Sequence, residues 1–302
     1  MAAIHNHSLS QRDALIGFGL AALAAVGFSA KAILVKLAYY EPIDAVSLLA
    51  LRMLFSAPLF LLVALYHIRQ KNPALSCRDY LAILVLGLLG YYLSSLFDFI
   101  GLQYVSAGLE RLILFLYPTF VVALSALLLG KAFGKKEVVA MLLSYAGIAV
   151  VFKDELSFES EHVLIGAGFV FASTLTYAAY LIGAGETIAR IGASRFTAYA
   201  MLVACAATLA QFLLTHPPQA LLVSARVYGL SLTMAVFSTV LPVFMLSAAM
   251  RRIGSGRTSL IGMLGPVSTL FMADYILGEQ LTAMQMTGAA LVMAGVLSLS
   301  VK

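Results

Sequence analysis

Residues 116–131 read LYPTFVVALSALLLGK, and residues 264–279 read LGPVSTLFMADYILGE. Each has a proline two residues after a leucine, then a long apolar run, then Leu-Gly. The offset is 148 residues, and the same offset maps Ala146-Gly147 onto Ala294-Gly295. At 149 residues, Leu15-Ile16-Gly17 maps onto Leu164-Ile165-Gly166. Four matches in order at nearly one spacing mark an internal repeat. The two stretches differ in one telling place: Lys131 follows the first Leu-Gly and Glu279 the second.

Composition says what the repeat is made of. Of 302 residues 62% are hydrophobic and only 11% charged, against about half and about a quarter in an average soluble domain. Such a chain cannot clothe one soluble core with a polar skin, so a polytopic membrane protein remains. A helical span needs about 20 residues, and run length gives ten. They are 14–37, 45–66, 80–100, 106–129, 137–152, 163–184, 195–214, 226–250, 257–277 and 281–300. The expected fold is all-α, ten transmembrane helices in two five-helix repeats, 14–152 and 163–301. Five is odd, so the second copy is inverted across the membrane, an architecture that recurs in secondary transporters.

Charge sets the orientation. With the N-terminus in the cytoplasm, thirteen Lys and Arg fall at inner ends and loops and three (Lys36, Lys153, Arg226) outside. The positive-inside rule selects this arrangement, with both termini cytoplasmic. Lys131 and Glu279 then occupy the same turn on opposite sides. Ala30-Lys31-Ala32 fits a signal-peptidase pattern, but the weak n-region and the counterpart of this span in the second half argue against cleavage. Cys77 and Cys205 sit in different segments without CxxC or His partners, so neither a disulfide nor a zinc site is expected. The stripes Ala140/Gly147 and Gly288/Gly295, two turns apart on their helices, suit close packing within the bundle or a dimer contact, packing being the favoured reading.

These residues resemble the EamA-type branch of the drug/metabolite transporter superfamily. The similar stretches are Gly101–Gly108 (GLQYVSAG), Tyr117-Pro118, Leu129-Gly130-Lys131 and Gly147-Ile148-Ala149. The second half supplies Gly265-Pro266, Leu277-Gly278-Glu279-Gln280 and Ala294-Gly295-Val296. The resemblance covers nearly the whole chain and departs at Lys131, where the family's turn usually has Glu. It implies a secondary transporter of the bacterial inner membrane, often an exporter of amino acids or related metabolites.

Charges within spans are costly and mark function by default. Lys31, Arg52, Asp98, Glu110 and Arg111 all fall in the outer half of the first repeat at about 1.5 Å per residue; Asp274 lies at an outer helix end. Glu110 and Arg111 diverge by about 100° and address different neighbours. One reading is a polar chamber for a small zwitterionic or anionic solute. Lys31, Arg52 or Arg111 would hold a carboxylate, and Asp98 or Glu110 an amine or a coupling proton. The other is a structural ion-pair network that gates the outer side. The facing wall in the second half would be Tyr177 and Tyr180, three apart on one helix face, with Ser255, Arg257, Thr258 and Ser259; the tyrosines suit either substrate contact or packing. Pro118 and Pro266 would kink equivalent helices mid-span.

No GxxxxGK[ST] loop is present, no HExxH motif is present, and all five His fall in the tail, loops or span ends. The expectation is therefore no enzyme, no cofactor and no metal. Expected partners are a small-molecule substrate and the bilayer, not nucleic acid, with the protein a monomer or homodimer. A channel is the alternative to a carrier.

Overall fold

In the computed structural model of the chain, the structure describes residues 11–70, 73–129, 135–156, 162–262 and 264–300. Every regular element among them is helical. The first half contains α1 (Gln11–Ala38), α2 (Ala45–Arg69), α3 (Cys77–Gly87), α4 (Ser94–Gly101), α5 (Ala107–Leu114), α6 (Tyr117–Leu129) and α7 (Lys135–Leu156). The second contains α8 (His162–Ile191), α9 (Ala193–Thr215), α10 (Ala225–Ala235), α11 (Leu241–Gly262), α12 (Leu264–Met272) and α13 (Ala283–Ser300). Seven helical stretches are long and apolar enough to cross a membrane, and three shorter apolar helices cover 138–151, 264–277 and 283–295. The shorter three fall on the expected fifth, ninth and tenth spans.

Local chemistry starts and stops these elements. Asp44 caps α2, accepting from the Val46 and Ser47 amides. Ser76 and Asp79 form a reciprocal capping box on α3, satisfying two donors that a helix end would otherwise leave bare. Of three π-helical segments among the described residues, Ala273–Leu277 ends α12 and the other two interrupt helices: Leu88–Leu93 joins α3 to α4, and Val236–Val240 joins α10 to α11. They lie 148 residues apart, so the irregularity itself is repeated.

Packing follows the repeat. α1 packs along α11, and α8, its counterpart, along α4. α1 also meets α12, and α8 meets α5 and α6; α2 lies against α9, and α7 against α13. Each contact thus recurs with the halves exchanged, as a two-fold relation requires. α7 and α13 run antiparallel. Gly147 meets Gly288, Ala140 meets Gly295, and a Cβ on Gly147 or Gly288 would lie 2.6 Å from the other's carbonyl oxygen. The small-residue stripes pack on each other, letting two backbones touch where larger side chains would hold them apart. α2 and α9 are likewise antiparallel, with His67 by Ser194 and Met53 by Cys205.

Two local expectations change. The loop expected at 251–256 is helical, within α11. The chain still reverses there, since Pro242 lies by Gly27, Ile253 by Gly17, and Gly265 returns to Ser29. Pro118 does not kink a continuous helix. A turn at Phe115 and Leu116 ends α5, and Pro118 becomes the second residue of α6, where its missing N–H leaves no bond unmade. Pro266 is the third residue of α12. Lys71, Gly130, Lys131 and Lys302 lie outside the described residues.

Candidate functional site

α5 begins where two side chains meet its bare amides. The Ser106 hydroxyl accepts from Leu109 N, and the Glu279 carboxylate accepts from Ala107 N at 3.1 Å on each oxygen. A carboxylate at a helix N-terminus is favoured by the helix dipole as well as by hydrogen bonding. This start places Glu110 in the first turn, fully buried. α4 leaves the Leu88–Leu93 π segment and carries Asp98 to the same place, 2% exposed. Lys31 of α1 joins them, its Nζ 2.5 Å from Asp98 Oδ2 and 3.0 Å from Glu110 Oε1.

One ammonium therefore bridges two carboxylates, and Arg52 supplies the second cation. Its Nε donates to Thr239 Oγ1 (3.0 Å), and its guanidinium lies over Phe99, 5.2 Å from the ring centroid. Thr239 sits in the second π segment and donates to Met234 O. Two cations and two anions balance, the condition under which buried charge is tolerable. Hydrogen bonding is less complete. Asp98 Oδ1, Glu110 Oε2 and Arg52 Nη1 are buried without a partner among the described residues. Buried polar atoms of this kind call for an explanation.

Arg111 goes elsewhere. Its guanidinium packs on Gly265, where a Cβ would overlap it, and it lies in electrostatic range of Tyr117 and Tyr177. Its Nε also has no partner among the described residues. The tyrosines form one cluster. Tyr177 stacks on Tyr180 (centroids 5.6 Å apart) and meets Tyr117 edge-on (5.7 Å), while the Tyr180 and Tyr91 hydroxyls lie 2.8 Å apart. Thr258 is buried. Tyr180 stands 149 residues after Lys31 and Thr258 stands 148 after Glu110, so the position of the charged pair is occupied by neutral groups in the second half. Asp274 is exposed and accepts from Leu281 N at 3.4 Å. The side chains of Ser255, Arg257 and Ser259 lie outside the described residues.

Sequence reasoning missed four participants. Ser29 donates to Gly265 O (2.8 Å), and Tyr39 donates to Phe99 O (2.7 Å) beside Asp98. Tyr39 follows α1 directly, its N–H donating to Val35 O at 3.0 Å. Thr239 stands 148 residues after Tyr91. Glu279, read above only as a topological charge, caps α5. Tyr39 and Glu279 also line a cavity of about 240 Å³ with Lys36, Tyr40, Leu102 and Gln103.

A family model described as the EamA-like transporter family matches the sequence twice, over residues 15–153 and 164–301. The "Uncharacterized transporter YcbK" of Bacillus subtilis (strain 168) is 31% identical over 283 residues, covering 92% of this chain and 90% of that protein. A "Probable amino-acid metabolite efflux pump" of Salmonella typhimurium is 29% identical over 228 residues, 69% of this chain and 74% of that protein. A solved structure described as "Crystal structure of protein" superposes with a TM-score of 0.62 at 18% identity, covering 95% of this chain and 96% of that one. At that identity the likeness concerns the fold alone.

Proposed function

The chain belongs to the EamA-like transporter family and is a transporter of this type rather than an enzyme; from that premise we propose that it is a secondary carrier for a small zwitterionic metabolite, an amino acid or close relative. Ten spans form two inverted five-helix repeats, 14–152 and 163–301, in a bacterial inner membrane with both termini in the cytoplasm. The antiparallel packing of α7 on α13 and of α2 on α9 supports inversion, because a two-fold axis relating antiparallel equivalents lies across them.

The observation that carries the substrate class is the set of buried atoms without partners. Asp98 Oδ1 and Glu110 Oε2 are acceptors, and Arg52 Nη1 and Arg111 Nε are donors. An ammonium suits the first pair, and a carboxylate suits either donor, Arg52 by Thr239 and Phe99 or Arg111 by Gly265. The carboxyl pair also offers a place for a coupling proton. The name of the Salmonella relative supports export of amino-acid metabolites. The halves would rock about this site to expose it alternately to each side.

The test compares metabolites and amino acids in the media of cells with the protein, without it, and with Glu110→Gln. A zwitterion should accumulate outside only with the intact protein. Preloading liposomes with that compound should accelerate its uptake. Flux that does not saturate and shows no acceleration by preloading would point to a channel. Normal flux from both Glu110→Gln and Arg111→Ala would overturn the site.

A further inference from the structure

At the opposite end from Lys36, α2, α3 and α9 enclose a second cavity of about 530 Å³. It is unconnected with the residues assigned to transport above. α3 touches α9 at Gly87, where a Cβ would lie 2.7 Å from Ala200 O, and the cavity opens beyond that contact. Most of its wall is apolar, with Ile68, Leu75, Ile83, Leu202 and Val203 among the lining residues. One lining side chain is of a different kind. Arg195 is 9% exposed, yet its Nε has no hydrogen-bond partner among the described residues. Its Nη1 donates to Pro73 O (2.9 Å), and its guanidinium lies 5.8 Å from the Tyr199 ring centroid. A neutral carbonyl and a ring orient the cation without cancelling its charge.

We infer that this cavity binds an anionic phospholipid, with an acyl chain against the aliphatic wall and the headgroup phosphate at Arg195. The planar guanidinium suits a phosphate oxygen. The same end also bears Arg69 and Arg78, while Arg190 is paired with Asp79 at 2.6 Å and adds no net charge; basic pockets between helices at a positive membrane face are where anionic headgroups gather. A zwitterionic lipid meets the same wall without the net charge complement. A free phosphate meets Arg195 without the wall.

The test uses the purified full chain in a neutral detergent. Dioleoylphosphatidylglycerol, dioleoylphosphatidylcholine or inorganic phosphate is added, and bound lipid is read by native mass spectrometry and stability by the melting temperature. Phosphatidylglycerol should be retained and should raise the melting temperature more than phosphatidylcholine. Arg195→Gln should lower its retention about tenfold, as expected from one charge-assisted hydrogen bond. Ala74→Trp, at an exposed loop residue of the lining, should lower retention of both lipids while leaving Arg195 in place. It tests the wall even if Arg195→Gln fails to fold. Equal retention of the two lipids, or unchanged retention in Arg195→Gln, would overturn the inference. So would inorganic phosphate reproducing the melting shift, because the site would then be for a headgroup-sized anion alone.

Discussion

Lys31 decides how the site holds together. A single ammonium offsets two carboxylates, one 3% and the other 0% exposed at the side chain, so its removal leaves two like charges facing each other out of water. Breaking a buried ion pair from one side costs about 3–5 kcal/mol. Lys31→Met should destabilise the protein by about that much, and adding Glu110→Gln should restore much of the loss, since one of the stranded charges goes with it. Chemical or thermal unfolding in detergent measures both. A double variant no more stable than the single one would mean that Lys31 acts by packing rather than charge. How much of this site is readable from sequence follows from the same residues. Charges are so rare in apolar spans that all five candidates stand out, and the helical rise gives their depth. Azimuth is not readable. Whether Arg111 turns toward Lys31 or toward Gly265 depends on how α5 is rotated against α1 and α12, and a lipid-facing apolar pattern carries no phase to fix that rotation.

At the scale of elements, the π segment of Leu88–Leu93 does for α4 what a side chain cannot. It inserts an extra residue into the helical register, and Asp98 follows five residues after its end. Deleting Tyr92 should restore α geometry and turn α4 by about 100°, moving Asp98 off Lys31. We expect loss of flux with the protein still inserted, checked by transport assay and membrane fractionation; retained flux would mean that Asp98 is dispensable. None of the π segments is legible in the sequence, because an apolar run reads alike in α and π form. Nor is the helical backbone at 251–256, where Gly254 and Gly256 resemble a loop signal. Capping is legible, and Asp44 shows it. Burial works against its charge, but the Ser47 hydroxyl and amide, the nearby His216 and the Val46 amide outweigh burial and hold the carboxyl below its ordinary value. A carboxyl depressed in the folded state stabilises at pH above its unfolded value of about 4, and that contribution disappears as pH falls through the folded value. Asp44→Ala should therefore cost about 1 kcal/mol at neutral pH. The gap between the two melting temperatures should close below about pH 4, and a gap constant down to pH 2.5 would exclude the charged cap.

The whole molecule poses two questions, which way it faces and which end is shut. Cys77 is exposed at the start of α3, and Cys205 is buried. With the N-terminus inside, a membrane-impermeant maleimide should label Cys77 in inverted vesicles and not in intact cells; the reverse pattern would invert the topology. The second question concerns Glu279. The Lys-to-Glu contrast between the two Leu-Gly turns is legible as a topological signal, but the partner of Glu279 is not, since Ala107 N lies 172 residues away. That contact ties the second half to the first beside the 240 Å³ cavity, so opening the Lys36 end must break it. A carboxylate held by a backbone amide at a helix N-terminus is worth about 1.5–3 kcal/mol, roughly a tenfold change or more in an opening equilibrium. In a Cys77→Ser/Cys205→Ser background, Leu102→Cys places a thiol at a fully buried residue of that cavity. Glu279→Ala should raise its maleimide labelling rate about tenfold, because labelling of a buried thiol tracks the open population when opening and closing are fast. An unchanged rate would mean that this clamp does not keep the end closed.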